Sequence, residues 1–186
     1  MPGIIKKTHA ILFVVIVLFS GCMKNDFDKV EVLPDDFGLY YEEKAVHVDW
    51  GQDILKINPA GDAVFTKRIG FEMEMTDEFS VGDEKLLEIY NKALENGFFE
   101  LQSHYEDPAI MDGGVRILEI NGGEYGKKVT LVNYYTAETD ELAGMAHKLI
   151  PQEIMDKNFL DMCEEMITDC SQDDSEVCNE WREYCG

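Results

Sequence analysis

The clustering of four cysteines in the last 24 residues constrains this 186-residue chain more than any other feature. They are Cys163, Cys170, Cys178 and Cys185, in two pairs whose members are seven residues apart. The flanking segments 159–167 and 176–184 favour helices, so each pair spans close to two helical turns. That spacing separates α-carbons by about 10.5 Å, whereas a disulfide needs no more than roughly 7 Å. A bond inside either helix is therefore excluded.

Four cysteines allow three disulfide pairings, and an antiparallel helical hairpin with its turn at 171–175 is compatible with only one of them. This nested pairing joins Cys163 to Cys185 and Cys170 to Cys178. Two short helices bury little surface, and each bridge of this size adds about 2–4 kcal/mol of stability. The alternative is a four-cysteine zinc site, which favours close C-x₂₋₄-C pairs rather than this spacing. Disulfides also require an oxidising compartment, and hence export from the cytoplasm.

The N-terminus has the features of an export signal. Lys6 and Lys7 precede an unbroken apolar run over 11–19 that closes with Ser20-Gly21-Cys22. As a helix the run is about 14 Å long, against roughly 30 Å of membrane hydrocarbon. It therefore predicts a signal peptide over residues 1–21, with a permanent membrane span as the alternative.

The segment Leu18-Phe19-Ser20-Gly21-Cys22 resembles the lipobox of prokaryotic lipoproteins. The resemblance implies that Cys22 carries a diacylglycerol, with fatty acids such as palmitate, and becomes the first residue after cleavage. Residues 22–36 would then form the lipidated N-terminus and a tether. The protein would lie on the cell membrane or an outer membrane, held by its lipid and facing away from the cytoplasm.

The charge balance excludes one class of partner. The chain has 38 acidic and 16 basic residues, a formal net charge of −22. Such a field repels phosphate backbones, so no nucleic-acid partner is expected. Eleven acidic residues and two basic ones fall in 152–186, within the predicted acidic hairpin over 151–186 that contains the four cysteines. In it Met155, Phe159, Met162 and Met166 recur at helical spacing and predict packing on the preceding domain.

The middle of the chain has the pattern of strands interrupted by one helix. Short β-rich runs occupy 44–49, 54–58, 63–69 and 71–76. The next apolar residues, from Leu86 to Leu94, recur at helical spacing after a capping signal at Ser80 and Asp83, and Gly97 provides the stop.

A hairpin and a second helix follow. The hairpin joins 115–121 to 127–135, and the second helix has Thr139 as its predicted N-cap and ends before Pro151. This order predicts an α+β domain over 37–150, with an antiparallel sheet and its helices on one face. The order, with the break at Gly97-Phe98-Phe99, is loosely similar to an uncharacterised domain that recurs in prokaryotic lipoproteins. That resemblance implies a fold and no activity.

No catalytic, cofactor or metal residue can be assigned from motifs. His47 and Asp49 offer two metal ligands on one side of a strand, without an identifiable third. The polar loop that contains His104, Asp107 and Asp112 offers oxygens for calcium but lacks the EF-hand pattern. The remaining candidates are tyrosines in strand-like contexts, which could line a recognition surface: Tyr40, Tyr41, Tyr134 and Tyr135.

These features favour an anchored binding module without enzymatic activity, whose partner is an unknown protein or small ligand. The alternative is an envelope enzyme, a hydrolase or a metal-dependent one, with scattered site residues. An inhibitor or assembly factor that uses its sheet face is a third hypothesis.

Overall fold

The computed structural model describes residues 29–45, 51–69, 73–110 and 113–169, together with Cys185. Several predicted features lie outside these residues: the signal peptide, Cys22, His47, Asp49, Asp112, Cys170, Cys178 and the second helix of the hairpin.

The described chain is a mixed α and β structure, as expected in outline, with seven strands and three helices. The strands are β1 Gly38–Ala45, β2 Gln52–Ile57, β3 Asp62–Ile69, β4 Met73–Ser80, β5 His104–Glu106, β6 Gly114–Gly122 and β7 Tyr125–Val132. The helices are α1 Asp83–Glu95, α2 Ala137–His147 and α3 Gln152–Asp169, with a 3₁₀ turn at Phe98–Glu100.

All seven strands form one sheet, in the order β4-β3-β2-β1-β6-β7-β5. Neighbouring strands are antiparallel except β5, which runs parallel to β7. The central strand β1 places Tyr41 opposite Leu55 on β2 and Leu118 on β6. Because strand side chains alternate between faces, these three residues share one side of the sheet.

That side of the sheet forms the hydrophobic core with α1 and α2. Leu86, Ile89 and Leu94 of α1 and Leu142 of α2 belong to the same buried cluster as the inward residues of the strands. Tyr90 of α1 also donates a hydrogen bond from its hydroxyl to the carbonyl of Gly122, at 2.7 Å. The helices therefore cover the face that the strands make apolar.

The elements differ from the sequence predictions mainly at their ends. The first strand begins at Gly38 rather than Lys44, since its inward residues Leu39 and Tyr41 are the buried ones. Helix α1 follows Gly82 without a side-chain cap. The N-cap of α2 is Thr136, whose side chain accepts from the backbone N–H of Thr139, so Thr139 is the capped residue rather than the cap.

The chain before β1 is attached to the domain over the part of the predicted tether that the structure describes. The side chain of Asn91 on α1 accepts from the backbone N–H of Val30 at 2.8 Å and donates to its carbonyl at 3.0 Å. Asp36 accepts from the N–H of Gly123 at 2.7 Å. Residues from Val30 onwards are thus held against α1 and the β6–β7 turn.

Helix α3 packs across β3 and β4 and is joined by a disulfide to the end of the chain. The bond links Cys163 to Cys185, the outer pair of the predicted nested arrangement. Met162 and Cys163 contact Ile69 and Met75, apart from the main core. Of the predicted packing residues, Met155 and Met162 contact the sheet domain and Phe159 is 38% exposed. The side chain of Met166 lies outside the described atoms.

One polar side chain of α3 is buried without a partner among the described residues. Asn158 is 1% exposed, and neither its amide oxygen nor its amide nitrogen is hydrogen bonded. A buried unpaired amide costs about 1–3 kcal/mol. We therefore expect Asn158→Leu, which has a similar volume, to raise the free energy of unfolding by about 1 kcal/mol, measured by urea denaturation.

Asn91→Leu is the matched control for this substitution, because it removes an amide with two hydrogen bonds to Val30. We expect it to lower stability by about 1–2 kcal/mol. A loss of stability in Asn158→Leu of the same size would contradict the prediction.

Candidate functional site

A charged row crosses the helix-facing side of the sheet, next to the buried apolar row. Lys67, Asp53, Glu43 and Arg116 lie directly opposite one another on β3, β2, β1 and β6. Each cation at an end of the row forms an ion pair with the carboxylate next to it, Lys67 with Asp53 at 3.1 Å and Arg116 with Glu43 at 2.7 Å. Four ionisable side chains thus lie on the face that elsewhere forms the core.

Arg116 reaches this face because β6 alternates. Arg116, Leu118 and Ile120 point inward, so a cation occupies the first position of an otherwise apolar inward set. One terminal nitrogen donates to Glu43 at 2.7 Å and the other to Asp140 on α2 at 2.5 Å. The guanidinium thereby connects the centre of the sheet to the first turn of α2.

Burial and these contacts fix the protonation of the groups around Arg116. Burial opposes ionisation of Glu43, but hydrogen bonds from Tyr41 and Arg116 outweigh it and lower the pKa of its carboxyl. Burial, together with the hydrogen bond to Glu43, raises the pKa of the Tyr41 hydroxyl well above its ordinary range. Burial opposes the charge on Arg116, yet the contacts with Glu43 and Asp140 raise its pKa. At neutral pH each group is held in one state.

An open groove of about 550 Å³ lies over this cluster, between the sheet and α2. We call it the Arg116 groove. Its lining residues are Tyr41, Glu43, Arg116, Tyr135, Asp140, Ala143, Gly144, His147 and Lys148. Tyr135 is 60% exposed, and its ring centroid is 5.4 Å from the guanidinium carbon of Arg116. The groove therefore combines an exposed aromatic ring with charged walls.

The segment between β7 and α2 holds Tyr135 in this position. Asn133 has a left-handed backbone with φ of 55°, which costs a residue other than glycine about 1–3 kcal/mol. The backbone N–H of Asn133 donates to the carbonyl of Gly114 at 2.8 Å, and its side-chain amide donates to the carbonyl of Ile110 at 2.7 Å. Tyr134 stacks on Tyr105 with centroids 5.3 Å apart. The adjacent residues Tyr134 and Tyr135 thus have different partners, and of these two only Tyr135 reaches the groove.

The four tyrosines predicted as a recognition surface do not form one. Tyr41 is buried against the core, whereas Tyr40 lies on the other face of the sheet between Lys56 and Lys128. Tyr134 and Tyr135 follow β7 rather than belonging to it. Of the four, only Tyr41 and Tyr135 come together, because both line the Arg116 groove.

The predicted metal-binding loop forms β5 and the turn after it. His104 contacts Glu106 at 3.4 Å on this short edge strand, and Asp107 accepts from the backbone N–H of Ala109 at 2.9 Å. In the part of the chain that the structure describes, no three His, Cys, Asp or Glu side chains are grouped so that they could hold a metal ion. The calcium hypothesis gains no support from the described residues.

Sequence reasoning missed Glu43, Arg116 and Asp140, which come from three distant parts of the chain. The one available signal was Arg116 itself, a cation at an inward position of the strand Val115-Arg116-Ile117-Leu118. Only the strand register identifies Glu43 as its partner.

No protein-family model matches the chain, and no curated protein sequence matches it either. Among the residues with described positions, no helix is both long and apolar enough to cross a membrane.

Proposed function

We propose that this protein is a lipid-anchored, extracytoplasmic binding module without enzymatic activity, and that the Arg116 groove holds its ligand. The observation that carries the proposal is the geometry of the groove: Arg116 is bonded to both Glu43 and Asp140, and Tyr135 lies exposed beside it. General acid–base catalysis works best with a group whose pKa lies near the working pH. The pKa values of Glu43, Tyr41 and Arg116 are all moved away from neutrality. Such groups are suited to binding rather than to proton transfer.

The Cys163–Cys185 disulfide supports placement outside the cytoplasm. Disulfides persist in oxidising compartments and are rare in the reducing cytosol. This agrees with the predicted signal peptide and with the lipobox resemblance at Cys22. The membrane is the first partner in this proposal, reached through the N-terminal lipid, on either the cell membrane or an outer membrane.

The anchor would also limit how far the domain lies from the membrane. Cys22 precedes Lys29 by seven residues, so chain geometry limits the distance between their α-carbons to about 25 Å. Lys29 contacts Glu95 at 3.5 Å, and Val30 is bonded to Asn91, so the chain leaves the domain from α1. A lipid on Cys22 would therefore hold the point where the chain leaves α1 within about 25 Å of the anchored residue.

The envelope enzyme is the second candidate, favoured by one observation. His147 lines the groove together with Glu43, and a protonated imidazole at this position lowers the pKa of that carboxyl. A histidine beside a carboxylate is a common catalytic pair.

Labelling with an alkyne analogue of palmitate tests the anchor. We expect the full-length protein, made in a bacterial host, to incorporate the label and to sediment with membranes, and Cys22→Ala to do neither. Two acyl chains are needed for stable anchoring, and both would be attached to this residue.

Cys163→Ala/Cys185→Ala controls for labelling of other cysteines without leaving an unpaired thiol, and it should incorporate the label to the same extent as wild type. Equal labelling of wild type and Cys22→Ala would contradict the anchor.

A further inference from the structure

We infer that the Arg116 groove binds a neutral saccharide, with one sugar ring stacked on Tyr135. This rests on the proposed function, since it names the ligand class for that site. The argument uses the exposed ring, the charges around it and the size of the groove.

Tyr135 presents an exposed aromatic face next to charged and polar side chains. Its ring is 60% exposed, and Arg116 lies 5.4 Å from its centroid. Asp140, His147 and Lys148 line the groove around it. A wholly apolar ligand would remove water from these polar groups without replacing their hydrogen bonds, which is costly. The ligand must therefore offer both an apolar face and hydroxyl groups.

The charges of the groove cancel. Glu43 and Asp140 are balanced by Arg116 and Lys148, with histidine counted as neutral. Elsewhere the chain is strongly acidic, with a net charge of −22 that repels anions. A net-neutral site gives no advantage to a charged ligand, so an uncharged one fits it best.

The donors and acceptors suit hydroxyl groups. The carboxylate of Asp140 accepts hydrogen bonds, and Arg116 uses only one of its oxygens. Lys148, which also lines the groove, has an ammonium group that can donate hydrogen bonds. A sugar hydroxyl both donates and accepts, and the C–H face of a pyranose ring can lie flat on an aromatic ring. The groove volume of about 550 Å³ lies within the usual range for small-ligand sites.

Titration of the full-length protein with three oligosaccharides of equal length tests this inference. The probes are the neutral N-acetylglucosamine tetramer, the cationic glucosamine tetramer and the anionic galacturonate tetramer, followed by ligand-observed NMR. We expect the neutral tetramer to bind with little dependence on salt. Tyr135→Ala should weaken its binding about tenfold, the loss of one aromatic contact, whereas Tyr135→Phe should retain it.

Tyr134→Ala is the matched control, because Tyr134 is the neighbouring exposed tyrosine and stacks on Tyr105 outside the groove. It should bind as wild type. The inference is overturned if the neutral tetramer does not bind, if only a charged tetramer binds, or if both alanine variants lose binding equally.

The same samples separate this inference from the proposed function. Absence of saccharide binding in a protein that is lipid-labelled at Cys22 would reject the ligand class and leave the anchored module in place. Cleavage of the bound tetramer, detected as new reducing ends, would instead reject the non-catalytic function while retaining the saccharide site.

Discussion

Replacement of Arg116 by methionine is expected to lower the free energy of unfolding by about 2–3 kcal/mol. Breaking a fully buried ion pair costs about 3–5 kcal/mol, because the remaining charge loses its partner. Here the Arg116 side chain is 15% exposed but that of Glu43 is 44% exposed, so water screens part of the loss. The Asp140 contact is lost as well, which removes the ion pair between β6 and the first turn of α2. Urea denaturation followed by circular dichroism measures the change.

Arg68→Met is the matched control, on the opposite face of the sheet. Arg68 contacts Glu74 at 2.6 Å, as closely as Arg116 contacts its partners, but these two side chains are 46% and 52% exposed. Exposed pairs contribute about 0–1 kcal/mol, so this substitution should have little effect. Equal losses in the two variants would show that the buried position of Arg116 does not matter.

The pH dependence of the same variant separates a lost ion pair from lost packing. The pKa of Glu43 is lowered on folding from its ordinary value of 4.5, so its ionisation stabilises the fold above that pH. This stabilisation disappears as the pH falls through the lowered pKa. Wild type should therefore lose more stability below pH 4.5 than Arg116→Met, whereas a pure packing defect would leave the two acid profiles parallel.

The sequence predicted those elements that follow from local pattern. The spacing of Leu86, Ile89, Ala93 and Leu94 located α1, and Gly97 ends it with a φ of 67°, as the predicted stop requires. The alternation of the strands located β2, β3, β4, β6 and β7 to within a few residues. Such signals are local, because each depends on which side chains one element buries.

The elements that the sequence missed depend on distant contacts. The three residues of β5 pair with Thr130, Leu131 and Val132 of β7, and no apolar alternation marks them beforehand. The N-terminal segment was predicted as a free tether because 22–36 is charged, whereas one amide, that of Asn91, holds Val30 through two hydrogen bonds. A single long-range contact of this kind produces no repeating pattern in the sequence.

The candidate site was unpredictable for the same reason. Glu43, Arg116 and Asp140 come from β1, β6 and α2, and their meeting depends on strand order and register. Tyr135 was identified as a candidate by its residue type, but its role depends on the left-handed Asn133 and on Arg116 behind it. Residue type thus named Tyr135 as one of four candidate tyrosines without identifying its neighbours in the fold.

Removal of the outer disulfide is expected to have the second large effect. In Cys163→Ala/Cys185→Ala we expect the free energy of unfolding to fall by about 3 kcal/mol, because the bridge closes a loop across a sequence separation of 22 residues. The loss should appear first in α3, whose contacts with Ile69 and Met75 are separate from the main core. Urea denaturation measures the total, and amide hydrogen exchange identifies where protection is lost.

The inner cysteine pair, Cys170 and Cys178, provides the control for this prediction. Cys170→Ala/Cys178→Ala removes the predicted second bridge, whose loop is shorter, so its loss should be about 2.5 kcal/mol. Reduction of wild type with dithiothreitol should then match the removal of both bridges, and chelation with EDTA should change nothing. If EDTA lowers stability, the cysteines bind a metal ion instead. Non-reducing peptide maps give a second test. A Cys163–Cys170 disulfide would reject the nested hairpin, because the sulfur of Cys163 cannot bond to both Cys170 and Cys185.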